Sequence, residues 1–474
     1  MIKIRTYLLW IALTALHTYL FYHHDVGVNA LLFSILTVGV TTWYHKLGSE
    51  KLWWMAASGH LISALAVSLH SYFSSAATYN LSFYVLAGYV ISMRSSLPVA
   101  FINGMYRSIF YSFFITIYSA FLDLLDVITH SNKSYFSLRK TTLYIAPISV
   151  TAIFYVLYGT VNPDFFLSIN FPEWQFNYEL IFYTLFGSAI ICPLFFPGPT
   201  GRLAEWDLTN PDLLKRMEGK KSGRRFTTMG LFYENRQGVI MFIMLNTLIA
   251  IFLAFSILQI FFPSLNHHPA GHSDQVHQGF EVLVLSIIIA ILLIMYYFRK
   301  NENFYDKKVK LVKLATIWII LNGILILFTC YKNVLYIDAF GLTYKRIWVF
   351  IGMMLTGIGL YLTIIKIYKV RTNWYLLRQN AWVLYFTVAS FGVVDWDRLI
   401  TWYNPNYAEF LDVKYILNLG NTQIPYMSEL LDANDPRIIP FKTDIERKMV
   451  NQRLPADWQS QTADTQWMLR EYKK

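Results

Sequence analysis

The sequence predicts an all-α fold: a polytopic bundle of membrane-crossing helices with a small C-terminal extramembrane helical tail. Two observations carry that prediction. Of 474 residues, 55% are hydrophobic and only 15% charged, where soluble domains carry nearer ~25% charged residues. The apolar residues are also gathered in blocks. "MFIMLNTLIAIFLAFSILQIFF" (241–262) and "VLVLSIIIAILLIMYYF" (282–298) reach or approach the ~20 residues that span a bilayer. Such runs recur to within about 80 residues of the C-terminus, which excludes a secretory leader ahead of a soluble enzyme.

Taken in order, crossings are predicted near 5–22, 27–44, 53–74, 79–93, 100–128, 143–161 and 178–197. Segment 97–130 is too long for one simple span. Pro98, Asn103, Gly104 and Arg107 make its first part an interfacial or re-entrant candidate. With the later runs, the count is about twelve helices, roughly eleven to thirteen. Residues 1–395 form the membrane domain and 396–474 an extracytoplasmic cap. The tail contains Pro405, Pro425, Pro436, Pro440 and Pro455, and "DVKYILNLGNTQIPYMSELLD" predicts two short helices broken at Gly420 and Pro425.

The net charge of +11 raises nucleic acid as a partner, but its distribution excludes it. Basic residues cluster in 198–237, 299–313 and 366–378, whereas 263–279 has no Lys or Arg. The positive-inside rule therefore puts the three basic connections in the cytoplasm, and the His-rich loop, the 331–346 connection and the tail outside. "KSYFSLRK" (133–140) also reads as cytoplasmic. Counting back from it leaves the N-terminus outside, whereas "MIKIR" favours the cytoplasm.

Cys192 and Cys330 end apolar runs without a CxxC or a His partner, and read as buried thiols. There is no internal repeat, phosphate loop, HExxH or GxSxG. No cofactor or metal is expected.

The candidate site residues start in "YKNVLYIDAFGLTYKRIWVF" (331–350). Gly341 permits a tight backbone, and Thr343 is placed to N-cap the next helix. Arg346 falls in that helix's first turn, where the dipole disfavours a cation. It needs an anion, and a protein carboxylate is expected: Asp338, nearest in sequence, or Asp395 or Asp397. A lipid phosphate is the alternative. Asp395 and Asp397, followed by Arg398, are a carboxylate pair that could do acid–base work, or could end a helix and meet solvent. His267, His268, His272 and His277 could bind a metal through imidazole, but the first three sit in a Pro/Gly-rich loop with no carboxylate at a fixed helical spacing and read as solvated. His277 lies at the start of a span with Glu281 at i+4 on the same face.

The order of motifs in the second half resembles a family of bacterial multi-spanning membrane proteins catalogued as domain of unknown function 4153/4173. The resemblance rests on Gly341, Leu342, Thr343 and Arg346, then "DWDRLITWYN" (395–404, ending in Asn404), "LDVKYILNLGNTQIPYM" (411–427) and "ADWQSQTADTQW" (456–467). Phe340 stands where a tyrosine is expected, and Asp395-Trp396 where Asn-Pro is expected. The resemblance implies a polytopic architecture and no catalytic residues.

These readings lead to an integral protein of the bacterial cytoplasmic membrane with an envelope-related, non-catalytic role. Its partners are the lipid bilayer and other envelope proteins. The alternatives are a transporter of a small solute or lipid, and a transferase using a lipid-linked donor. Polar residues within spans, His17, His60, His70, Asn103, Arg107, Asp123, Asp126, Glu179, Asn246 and Asn322, are the sequence basis for transport.

Overall fold

The first turn between helices shows how local chemistry sets the boundaries. Helix α1 (Ile2–Phe21) stops at "YHHDVG", where His23 takes a φ of 60°, and α2 (Val28–His45) starts just beyond. Asn29 ties the two together, its Oδ1 accepting from Gly27 N at 2.7 Å and its Nδ2 donating to Leu20 O at 2.8 Å. The computed structural model describes residues 2–70, 72–111, 177–198, 201–216, 230–262, 272–451 and 457–471, with scattered positions between 114 and 158.

Helices α3 (Lys51–Leu69), α4 (Phe73–Ile91), α5 (Leu97–Tyr106) and α6 (Tyr178–Phe195) complete the first group. Pro98 stands in the first turn of α5, where its missing N–H costs nothing. A π-turn, Arg107–Tyr111, extends α5. Gly88 brings the α4 backbone against α5, since a Cβ there would fall on the Ala100 carbonyl.

A short helix, α7 (Arg202–Thr209), leads to a second group: α8 (Leu231–Phe261), α9 (His272–Tyr297), α10 (Val309–Phe340) and α11 (Tyr344–Tyr368). Helix α12 (Asn373–Phe391) packs on α11 and α3 and so joins the groups. The tail holds α13 (Trp396–Tyr407), α14 (Val413–Leu417), α15 (Ile424–Asp432), α16 (Lys442–Asn451) and α17 (Ala463–Glu471). Gly420 follows α14 as expected, but Pro425 opens α15 instead of breaking a helix. Among the described residues there is no strand beyond an isolated bridge between Leu213 and Arg371.

Among the described residues, five helical segments are long and apolar enough to cross a membrane: Lys51–Leu69, Tyr178–Phe195, Leu231–Leu258, Asp306–Phe340 and Tyr344–Tyr368. Their outward faces are apolar too. Leu248, Ile251 and Leu327 are exposed at 64%, 62% and 70%, a surface suited to lipid and not to water. The fold is thus all-helical and consistent with a membrane-embedded protein.

Each group has its own core. Phe33, Trp53, Leu86, Tyr89 and Leu194 fill the first, and Phe242, Ile287, Ile294 and Ile319 the second. Val413, Ile416, Met427, Ile438 and Ile445 form a small core within the tail.

The helices meet at two ends. At one, Asp207 before the basic stretch accepts from Ser96 N and Trp374 Nε1, each at 2.5 Å, while Lys366 donates to Phe298 O at 2.8 Å. The described parts of the three basic connections therefore lie together. The start of α1 lies there as well, with Arg5 4.4 Å over the Trp43 ring and His45 2.6 Å from Leu194 O. The N-terminal end of α1 thus lies at the same end as the described basic connections, while 133–140 is outside the described residues. The tail sits at the opposite end.

Candidate functional site

Leu342 N–H and C=O are both held by one side chain. Asn404 Oδ1 accepts from Leu342 N at 2.5 Å, and Asn404 Nδ2 donates to Leu342 O at 3.0 Å. Gly341, between α10 and α11, has a φ of 79°, and a Cβ there would stand 2.7 Å from Asn404 Oδ1. Glycine is required on both counts.

This turn lets the tail close the end of α10. The last four carbonyls of a helix have no partner within it. Here all four of α10 are met. Ile337 O accepts from Gly341 N at 2.7 Å, Asp338 O from Glu409 N at 3.2 Å, and Ala339 O from Phe410 N at 3.1 Å. Phe340 O accepts from Arg346 Nη1 at 2.8 Å.

Arg346 is where the structure corrects the sequence reading. It is buried, and its guanidinium also donates to Gly341 O and lies 4.2 Å from the centre of the Tyr336 ring. It donates to carbonyls at a helix C-terminus, where the dipole is negative, and among the described residues not to the expected carboxylate. Asp338 is exposed and accepts from Tyr403 OH at 3.3 Å. Thr343 does occupy the N-cap position of α11, but its side chain makes no cap bond. Tyr415 from the tail replaces it, its hydroxyl accepting from Tyr344 N at 2.9 Å.

The two aspartates after α12 have different fates. Asp395 N-caps α13 through Arg398 N at 2.9 Å and also accepts from Tyr72 OH at 2.8 Å. Asp397 is 2% exposed, so it does not meet solvent. Its Oδ1 accepts from Tyr344 OH at 2.7 Å and its Oδ2 from Gly420 N at 2.8 Å. Burial raises its pKa, against those two hydrogen bonds. Arg398 is exposed and rests 4.3 Å from the Trp467 ring.

Sequence reasoning did not bring His70, Tyr72, Asp464 and Tyr415 to this place. His70 ends α3, where its Nδ1 lies 2.7 Å from Asp464 Oδ2 and its Nε2 3.2 Å from Val393 O. Because a carbonyl can only accept, Nε2 carries a hydrogen, and one proton is left between Nδ1 and the carboxylate. Burial lowers the His70 pKa, but Asp464 and Asp395 outweigh it, so the net shift is upward. Burial also raises Asp464, partly opposed by His70. The ligand atoms of His70, Asp395 and Asp464 lie within 4.8 Å of one another, close enough to share a cation. Both imidazole nitrogens are already hydrogen-bonded, which makes the cluster a proton-sharing contact in this arrangement.

The remaining candidates fall outside what the structure describes. His277 and Glu281 lie on α9, with side chains outside the described residues, as are 263–271, Asp123 and Asp126. Small hydroxyls line a narrow cleft nearby, where Ser63, Ser74, Ser75 and Thr78 face Trp348 and Phe391.

The signals for the missed residues were present but weak. Asp464 and Trp467 stand in the quoted closing motif, and His70 among the polar residues of the spans. Nothing in sequence joins residues 394 positions apart.

No curated protein and no solved structure matches the chain. A family model described as "Domain of unknown function (DUF4153)" matches residues 30–430, from α2 through most of α15. That match takes in the Gly341 turn, Arg346, Asp397, Asn404 and Tyr415, and the chain belongs to the DUF4153 family.

Proposed function

We propose that the chain is a non-catalytic, integral protein of the bacterial cytoplasmic membrane that crosses it about twelve times and serves the cell envelope. Its tail faces the extracytoplasmic side, opposite the basic connections. The observation behind this reading is how the tail spends its polar groups. Asn404, Asp397, Tyr415 and the 409–410 backbone all bind the ends of α10 and α11, the backbone there or Tyr344. Groups engaged in this way fix a surface and do not leave a nucleophile beside a base. The tail is then a rigid outward platform for other envelope proteins.

Deletion of the gene in its native host tests this. The expected result is sensitivity to detergents and wall-active compounds, restored by the full chain but not by one ending at Gly392. Unchanged envelope resistance with altered uptake or release of a small solute or lipid would overturn it in favour of transport. Turnover of a lipid-linked donor by the purified chain would do so in favour of a transferase.

A further inference from the structure

At the basic end, away from the tail, a carboxylate is buried with neither oxygen satisfied. Glu302 lies on the short turn Lys300–Phe304, between α9 and α10, and is 3% exposed. Its Oε1 and Oε2 are both shut off from solvent, and among the described residues neither has a partner in full hydrogen-bond geometry. Asn235 lies beside it on α8, 7% exposed, and its Nδ2 is also unpartnered.

The charges around Glu302 are committed elsewhere. Glu234, on α8, is the nearby charge that bears on it. Arg299 pairs with Glu234 at 2.8 Å instead of turning to Glu302. Lys308, ahead of α10, donates to Asn303 O, and Lys366 on α11 donates to Phe298 O at 2.8 Å. With Glu234 paired to Arg299, the described side chains leave one negative charge at the site, that of Glu302.

A lone carboxylate in a dry site is costly, and it is relieved by water, by a cation or by taking a proton. One net charge and two ligand oxygens are too few for a divalent ion, which takes six or more oxygens.

We propose that Glu302 is a proton-binding site, with Asn235 as its polar neighbour and the solvent at the basic end as source and sink. On protonation one carboxyl O–H forms and the charge vanishes. On release the proton passes to solvent, and the bare carboxylate draws water into the Lys300–Phe304 turn. Burial, with the Glu234 charge second and Asn235 opposing, raises the Glu302 pKa to about 7. The exchange therefore falls where small changes in pH alter its occupancy.

Infrared difference spectra of the purified full chain, taken across a pH titration, test this. The wild type should show a protonated-carboxyl C=O band that disappears with a midpoint about pH 7. Glu302→Gln should lack that band while keeping the same helix content. Glu234→Gln should keep it with a lower midpoint, because a repelling charge has gone; a merely structural role would leave the midpoint unmoved. A band that survives Glu302→Gln, or no band in the wild type, would overturn the assignment. So would a wild-type band abolished by sodium chloride and not by potassium chloride at fixed pH, which would make the occupant a metal cation.

Discussion

Asn404 holds both the N–H and the C=O of Leu342, at 2.5 and 3.0 Å, across 62 positions of sequence. Asn404→Leu should strand both groups, at about 1–3 kcal/mol for each one left buried and unpaired. The expected outcome is a lower melting temperature in detergent and faster proteolysis of the tail. Asn404→Asp, which keeps the acceptor and loses the donor, should fall between.

Gly341→Ala tests the same turn from its other side. The φ of 79° and the contact with Asn404 both oppose a side chain, and a loss of about 1–3 kcal/mol is expected. In Asn404→Ala the clash is gone, so adding Gly341→Ala to that background should cost less than it does in the wild type. Equal losses in the two backgrounds would show that the contact carries nothing.

Arg346→Leu should destabilise the chain by orphaning the Phe340 and Gly341 carbonyls, each worth about 1–3 kcal/mol. Asp338→Asn should be silent alone and should not rescue Arg346→Leu, since Asp338 bonds Tyr403. Rescue in a thermal-shift measurement would restore the ion pair expected from sequence.

The His70–Asp464 contact should loosen as pH rises. Both pKa values are raised in the fold, so the folded state holds these protons more tightly than the unfolded chain. Their contribution is therefore largest at low pH. It fades upward from the ordinary carboxyl value of 3.8 for Asp464 and from 6.5 for His70. Tail proteolysis should accelerate from mildly acidic to mildly alkaline pH in the wild type, with a flatter profile in His70→Gln.

A topology reporter fused after Arg225 should be active only as a cytoplasmic marker, and one after Asp412 only as an exported marker. Both reporting from one side would end the proposed orientation.

The helical class was legible because apolar blocks leave few other folds, and the turn was legible because Gly341, Leu342, Thr343 and Arg346 are an odd set to find in a connection. The partner of Arg346 was not. Carboxylates can be seen in a sequence, whereas carbonyls become acceptors only when a helix ends at Phe340 and a turn returns Arg346 to it. Thr343 shows the same limit, because its capping role was taken by Tyr415, 71 positions beyond the Tyr344 N–H that it accepts from. For Asp397 the sequence left acid–base work and a solvent-facing helix end both open; its burial depends on Tyr344 and Gly420 converging from two other segments. His70 and Asp464 could be joined only by folding the tail over the bundle.

The tail's hydrogen bonds to helix ends also set an order of assembly. The Ser460 hydroxyl accepts from Asp25 N across 435 positions, and the Gln461 carbonyl accepts from Val28 N at 3.0 Å. Residues synthesised some 435 positions later thus complete the α1–α2 hairpin. Until they arrive, the Asp25 and Val28 amides of that hairpin are open, as is the Tyr344 amide in the first turn of α11. A chain stalled before its tail is synthesised would be inserted yet unfinished, and these open ends are the places where a membrane protease or chaperone could tell it from a completed one.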